Sequence, residues 1–284
     1  MIMRKNIIYE PDQRIKMGLL RSLKTLYGNM TSNWELNYQL FKRDFLQQYK
    51  KSLLGMAWLF ITPVVGIISW VFMNATGVLK PGDVGIPYPA YILIGTTIFG
   101  LFQSFYSGAS GTLTAGSGFI SQVNYPHDSL LVKQTLQQLA SFVINFSITM
   151  VILLFFKVYP SWLIIFFPIL IIPIFLLGSA IGLVSSILNV VAPDIQRLLG
   201  FFMGLLLFIT PVIYSSKIDN PILQNVIKWN PLTYVVGGVR DAIIYGRIDH
   251  FDRFLIVTGI SFILFFIAWR FFFISEQKVI EKMI

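Results

Sequence analysis

The stretch "QQYKKSLLGMAWLFITPV", residues 47–64, changes character within a few positions: Tyr49, Lys50, Lys51 and Ser52 stand directly before an apolar run that continues past Pro63. A bilayer core needs about 20 apolar residues per helix. The run over 57–79 meets that length and reads as the first of six, followed by 90–110, 136–156, 162–191, 198–216 and 254–274. Lysines at the mouth of a span mark its cytoplasmic end.

Outward from that junction, composition agrees. Of 284 residues, 55% are hydrophobic and 12% charged, and the mean hydropathy is +0.71, which is far from the charged surface of a soluble domain. The expected architecture is an all-α integral membrane protein with six transmembrane helices. The expected divisions are a cytoplasmic N-terminal region over 1–52, a six-span domain over 53–275 and a cytoplasmic tail over 276–284. No apolar segment with a small-residue cleavage site precedes the first span, so the N-terminus is expected to stay in the cytoplasm.

The net charge of +9 invites a nucleic-acid reading, but position argues for topology. Ten Lys and Arg fall before the first span, and Lys133, Arg197, Arg270, Lys278 and Lys282 join them on the inner side of a six-span chain, against seven outside. That asymmetry places both termini in the cytoplasm. No nucleic-acid partner is expected.

Within "NWELNYQLFKRDFLQQYK", residues 33–50, Trp34, Tyr38, Phe41, Phe45 and Tyr49 recur at helical spacing, with Glu35, Lys42, Asp44 and Gln48 off the stripe. An aromatic face beside a charged one is the pattern of a helix lying in the membrane interface, and equally of one packed on another chain. At the other end, 217–250 is too apolar for a free loop, yet Pro221, Pro231, Gly237, Gly238 and Gly246 interrupt it. Short re-entrant or interfacial external helices before the last span are expected there.

Several motifs carry less than they suggest. "GTLTAGSG", residues 111–118, lacks the lysine of a phosphate-binding loop, so it cannot reach β- and γ-phosphates. Gly178/Gly182 and Gly200/Gly204 are GxxxG pairs that let helices approach closely. His127 and His250 fall on opposite sides of the expected topology, and the chain has no cysteine. The central parts of the six spans contain no ionisable residue, which removes the usual apparatus of proton-coupled transport. Phe99, Phe102 and Tyr106, with Gln103 and Ser107 beside them, form a stripe on which sugar rings could stack, and Phe is also a normal lipid-facing residue.

The Tyr49-x-x-Ser52-x-Leu54-Gly55-x-x-Trp58-x-x-x-x-Pro63 order resembles the signature that opens the first span of ABC-2 type polysaccharide and polyol-phosphate export permeases. "VNYP" (123–126), "ITPVIY" (209–214) and "NPLTYVVGGVRDAIIYG" (230–246) match in register, so the resemblance covers about 30–275. One departure is that Pro193-Asp194-Ile195 stands where members often carry Arg-Asp-Ile or Arg-Asp-Val, with Arg197 two residues later.

The resemblance implies a homodimeric, multi-pass permease of the bacterial cytoplasmic membrane. It implies a separate cytoplasmic ABC ATPase that holds ATP and Mg, so that this chain binds no cofactor or metal. The cargo would be a lipid-linked O-antigen or capsule polysaccharide, or alternatively a teichoic acid. It assigns Asn124, Tyr125, Pro126, His127 and Asp128 to ATPase coupling and Tyr49, Lys50, Ser52, Gly55, Trp58 and Pro63 to the family motif at the gate. It also assigns Asn230, Pro231 and Arg240 to the external helices near the exit, while Phe99, Phe102, Gln103 and Tyr106 are the candidate substrate path on the aromatic stripe described above. Two competing classes are a small-lipid or drug exporter of the same superfamily and a membrane glycosyltransferase, for which Asp241, Asp249, Asp252 and His250 are the candidate groups.

Overall fold

A computed structural model of the chain describes residues 17–50, 54–79, 81–115, 127–216 and 220–280, and among these every regular element is a helix. In chain order they are α1 (Leu19–Ser32), α2 (Trp34–Lys50), a 3-10 turn (Gly55–Ala57), α3 (Trp58–Ala75), α4 (Tyr88–Ser110), α5 (Thr112–Ala115) and α6 (His127–Phe155). There follow a 3-10 turn (Trp162–Phe166), α7 (Phe167–Leu170), α8 (Ile172–Val191), α9 (Pro193–Ile209), α10 (Pro221–Trp229), α11 (Pro231–Tyr245) and α12 (Phe251–Ile280).

Proline sets six of the described helix starts. Pro89, Pro168, Pro173, Pro193, Pro221 and Pro231 all lie at the first or second helical position, where the missing N–H would have had no intrahelical partner. Pro63 differs, lying inside α3. Side-chain caps complete three starts: Ser161 accepts from the Leu163 amide, Asn220 from Ile222 and Leu223, and Asn230 from Leu232, each satisfying an orphan donor of a first turn.

Among the described residues, four helical segments are long and apolar enough to cross a membrane: Tyr88–Ser110, Leu130–Phe155, Trp162–Val191 and Phe251–Glu276. The other two expected spans form shorter rods. α3 has 18 residues and α9 has 17, about 27 and 25 Å at 1.5 Å per residue. The expected span over 198–216 stops at Ile209 because Thr210 turns to an extended backbone ahead of Pro211, and 210–216 are non-helical.

One other boundary differs from the sequence expectation. The expected span over 136–156 begins earlier, because α6 runs for 29 residues from His127 and no Gly or Pro interrupts 127–155. The expected span over 162–191 is present as one helical segment, with a turn at Ile171 between α7 and α8 across which the Ile171 amide still donates to the Phe167 carbonyl at 3.1 Å.

α8 is the centre of the bundle, packed most extensively against α4 and α12, while α4 also carries α6. A Cβ on Gly178 would sit 2.9 Å from the Phe102 carbonyl oxygen, and one on Gly182 would sit 2.5 Å from that of Tyr106 and 2.6 Å from the Ala109 Cβ. Backbone therefore meets backbone across this pair, which only glycine permits. The core around the contact includes Ile98, Phe99, Phe102, Phe105, Ile174 and Leu177.

Candidate functional site

The non-helical stretch after α9 is a buried run of backbone outside any helix. Pro211, Val212, Ile213 and Tyr214 are buried, so their carbonyls need partners away from water. Two tyrosines from the start of α4 supply several: Tyr88 donates to the Ile213 carbonyl at 3.1 Å, and Tyr91 to that of Tyr214 at 2.9 Å. Arg240 of α11 donates from Nη1 to the Pro211 carbonyl at 3.0 Å. Asn230 donates from its amide to the Thr210 hydroxyl at 2.9 Å while capping α11.

Arg240 is only 6% exposed, and its guanidinium lies 4.2 Å from the centre of the Tyr91 ring, a cation–π arrangement that favours the buried charge. Asp241 stands beside it, with Oδ1 3.7 Å from the Arg240 Nε. Burial pushes the Asp241 carboxyl up to about 6, against the pull of Arg240. α11 is further tied down at Ser161, which donates to the Ala242 carbonyl at 2.6 Å. Asn230 and Arg240 thus share one clasp with "ITPVIY", a link between distant motifs that the sequence alone leaves hidden, and Pro231 opens α11 next to Asn230. Tyr88 and Tyr91 are not singled out by the sequence; their spacing of three at a helix start is the signal that points to one common face.

The aromatic stripe of α4 is differently placed from the sequence expectation. Phe102 is fully buried, and Phe99 and Tyr106 are 4% and 5% exposed, packed in the main core. The close approach at Gly178 and Gly182 brings α8 onto this face of α4 and fills it. Gln103 and the Tyr106 hydroxyl instead point toward α9. Gln103 donates to the Met203 carbonyl at 2.6 Å, and Gln196 donates to the Ser110 hydroxyl at 2.9 Å and to the Tyr106 hydroxyl at 3.3 Å. Beside these bridges Gly100, Gly200 and Gly204 face open space, with nothing within 4 Å of where a Cβ would stand, and Ser107 is exposed.

At the opposite end, Tyr49 and Lys50 close α2, and Ser52 lies outside the described residues. Gly55 takes a positive φ of 49°, a left-handed turn that suits glycine, and redirects the chain so that Trp58 begins α3. Asn124, Tyr125 and Pro126 lie outside the described residues, and His127 and Asp128 open α6. Each candidate glycosyltransferase carboxylate has an arginine partner: Asp249 pairs with Arg247 at 3.0 Å, Asp252 with Arg253 at 3.7 Å, and Asp241 with Arg240, and among the described residues no three acidic or histidine side chains are grouped as a metal site.

The sequence pattern of the ABC-2 type transporter family matches residues 35–244, which takes in the Gly55 turn, the α4–α8 contact and the clasp. The chain belongs to the ABC-2 type transporter family. Relatives of this ABC-2 chain include an "O-antigen export system permease protein RfbA" of Myxococcus xanthus, 20% identical over 246 residues, covering 86% of this chain and 93% of that protein. A protein of the same name from Klebsiella pneumoniae is 24% identical over 246 residues, covering 84% and 91%. A "Polysialic acid transport protein KpsM" of Escherichia coli is 21% identical over 257 residues, covering 86% and 94%.

Proposed function

We propose that this chain is the membrane permease of an ATP-driven exporter that moves a lipid-linked polysaccharide, of the O-antigen or capsule kind, outward across the bacterial cytoplasmic membrane. The observation that carries the reading is the near full-length similarity to permeases named for O-antigen export and polysialic acid transport, on a chain whose clasp joins the same two motifs that carry the family resemblance. α3 and α9 complete six spans, each tilted little and flanked by interfacial residues, and both termini lie in the cytoplasm. Two copies form the dimer.

A separate cytoplasmic ATPase holds ATP and Mg and docks on the inner ends of α2 and α6, with 124–128 as its coupling segment. The cargo passes along the strip beside the α4–α9 bridges, where Gly100, Gly200 and Gly204 face open space and Ser107 is exposed. A wall of small and polar groups lets hydroxyl-rich sugar units exchange hydrogen bonds as they slide, and few fixed charges stand in the way to trap them. α10 and α11 close the outer end, held by Asn230 and Arg240.

The test is reconstitution. The chain with its ATPase partner, in vesicles charged with lipid-linked glycan, exports the polymer on addition of ATP; the chain alone neither exports nor hydrolyses ATP. Export by the chain without the partner, or the absence of any export with it, contradicts the reading.

A further inference from the structure

α2 presents two faces. Trp34 and Tyr38 are exposed, with Phe41 and Phe45 in ring contact along the same side. Leu36, Leu40 and Asp44, spaced four apart, turn inward together with Asn37, and Leu36 and Leu40 pack with Leu130 of α6. At the end of this face Asp44 meets Lys133, a cation only 7% exposed on the second turn of α6. A buried ammonium is tolerated where a carboxylate faces it. Asp44 also accepts from Arg43 at 2.8 Å. Burial pushes the Asp44 carboxyl up, and its bonds to Lys133 and Arg43 outweigh this, holding it below the usual 3.8.

The α1–α2 hairpin has a second attachment. Arg270, near the inner end of α12, donates to the Ser22 hydroxyl and the Met17 carbonyl of the α1 segment. One amphipathic hairpin is thereby bolted to two spans far apart in sequence, and each bolt is a cation contributed by a span. Hydrophobic packing alone would let α2 slide or roll on α6, since apolar contact has no direction. The ion pair fixes both register and angle.

We propose that the Asp44–Lys133 pair is a positioning element for energy coupling: it makes the α1–α2 hairpin and the inner end of α6 move as one body, so that displacement imposed by the ATPase reaches both α6 and α12. The inference rests on the exporter reading above and adds to it the residues that transmit the stroke. Neither side chain touches cargo or nucleotide; both act through the helices they align.

The experiment measures export and ATP hydrolysis together, in vesicles holding the assembled complex and lipid-linked glycan. The variants are Asp44→Lys, Lys133→Asp, the double reversal and Asp44→Asn. Each single reversal is expected to lower polymer exported per ATP hydrolysed by tenfold or more, with ATPase activity per assembled complex changed less than about twofold. The double reversal restores at least a third of the wild-type ratio. Asp44→Asn, which keeps a hydrogen-bond acceptor without the charge, gives an intermediate ratio and serves where a reversal fails to assemble. A ratio unchanged in Asp44→Asn and in every assembled reversal, or a double variant no better than the singles, overturns the proposal. So does loss of export only in proportion to loss of complex, which makes the pair a fold contact and nothing more. Failure of the wild-type complex to export falls on the exporter reading instead.

Discussion

Two GxxxG pairs lie on consecutive helices, α8 and α9, and they have opposite fates. Gly178 and Gly182 press against the backbone of α4, whereas Gly200 and Gly204 meet nothing within 4 Å. The spacing is identical, so the difference comes from what each helix finds opposite. α8 meets an α4 face of Phe99, Phe102, Phe105 and Tyr106 that can interlock around a flat, side-chain-free groove. α9 meets the polar edge of α4 and is bridged to it by two glutamines. A small-residue pair is therefore a permission for close approach, and the neighbouring surface decides whether it is taken up.

Gly182→Leu attacks the packed pair and should have the largest effect. Its Cβ would collide with a backbone carbonyl, which cannot swing aside as a flexible side chain does, so the cost is about 3 kcal/mol or more. The expected result is little folded chain in detergent extracts and a lowered unfolding midpoint; wild-type behaviour would mean the two helices are not in contact. Arg240→Met comes next, because it removes the 3.0 Å donor of the buried Pro211 carbonyl and leaves it only the long 3.5 Å contact from the Tyr91 hydroxyl, at about 1–3 kcal/mol. Thermal unfolding in detergent checks this, and Arg240→Lys, which can still donate, should lose less.

Gly204→Leu probes the open pair. With open space around it, stability should move within about 0.5 kcal/mol, while polymer export by the assembled complex falls severalfold. Asp241 adds a pH dependence to stability. Its folded-state carboxyl, raised to about 6 from 3.8 by burial, binds protons more tightly than in the unfolded chain, so stability falls as pH rises through 4 to 6. Asp241→Asn should flatten that slope in unfolding measurements across the same window.

Sequence patterning makes the helical class, the interruption of 217–250 and the two-sided α2 legible, because periodicity and proline placement act locally. It fails where a long-range partner decides the outcome. Phe102 and a lipid-facing Phe look alike in sequence, and only the arrival of Gly178 and Gly182 separates them. Apolar Val212, Ile213 and Tyr214 favour a span running on to 216; the donors that stabilise their unwound backbone come from Tyr88, Tyr91 and Arg240. In the sequence Lys133 is only an inner-side charge, because its partner Asp44 lies on a helix nearly ninety positions earlier.

The absence of cysteine in the chain permits a direct test of the packed and open faces. Single Ser107→Cys, Gly204→Cys and Phe102→Cys variants, assembled with the ATPase partner and turning over lipid-linked glycan, are exposed to a charged, water-soluble thiol reagent. Labelling is expected at positions 107 and 204, suppressed by polymer occupying the path, and none at 102, where α8 covers the site. Labelling at 102, or reaction at 107 and 204 with lipid-soluble reagents alone, would contradict the α4–α9 strip as the route of export.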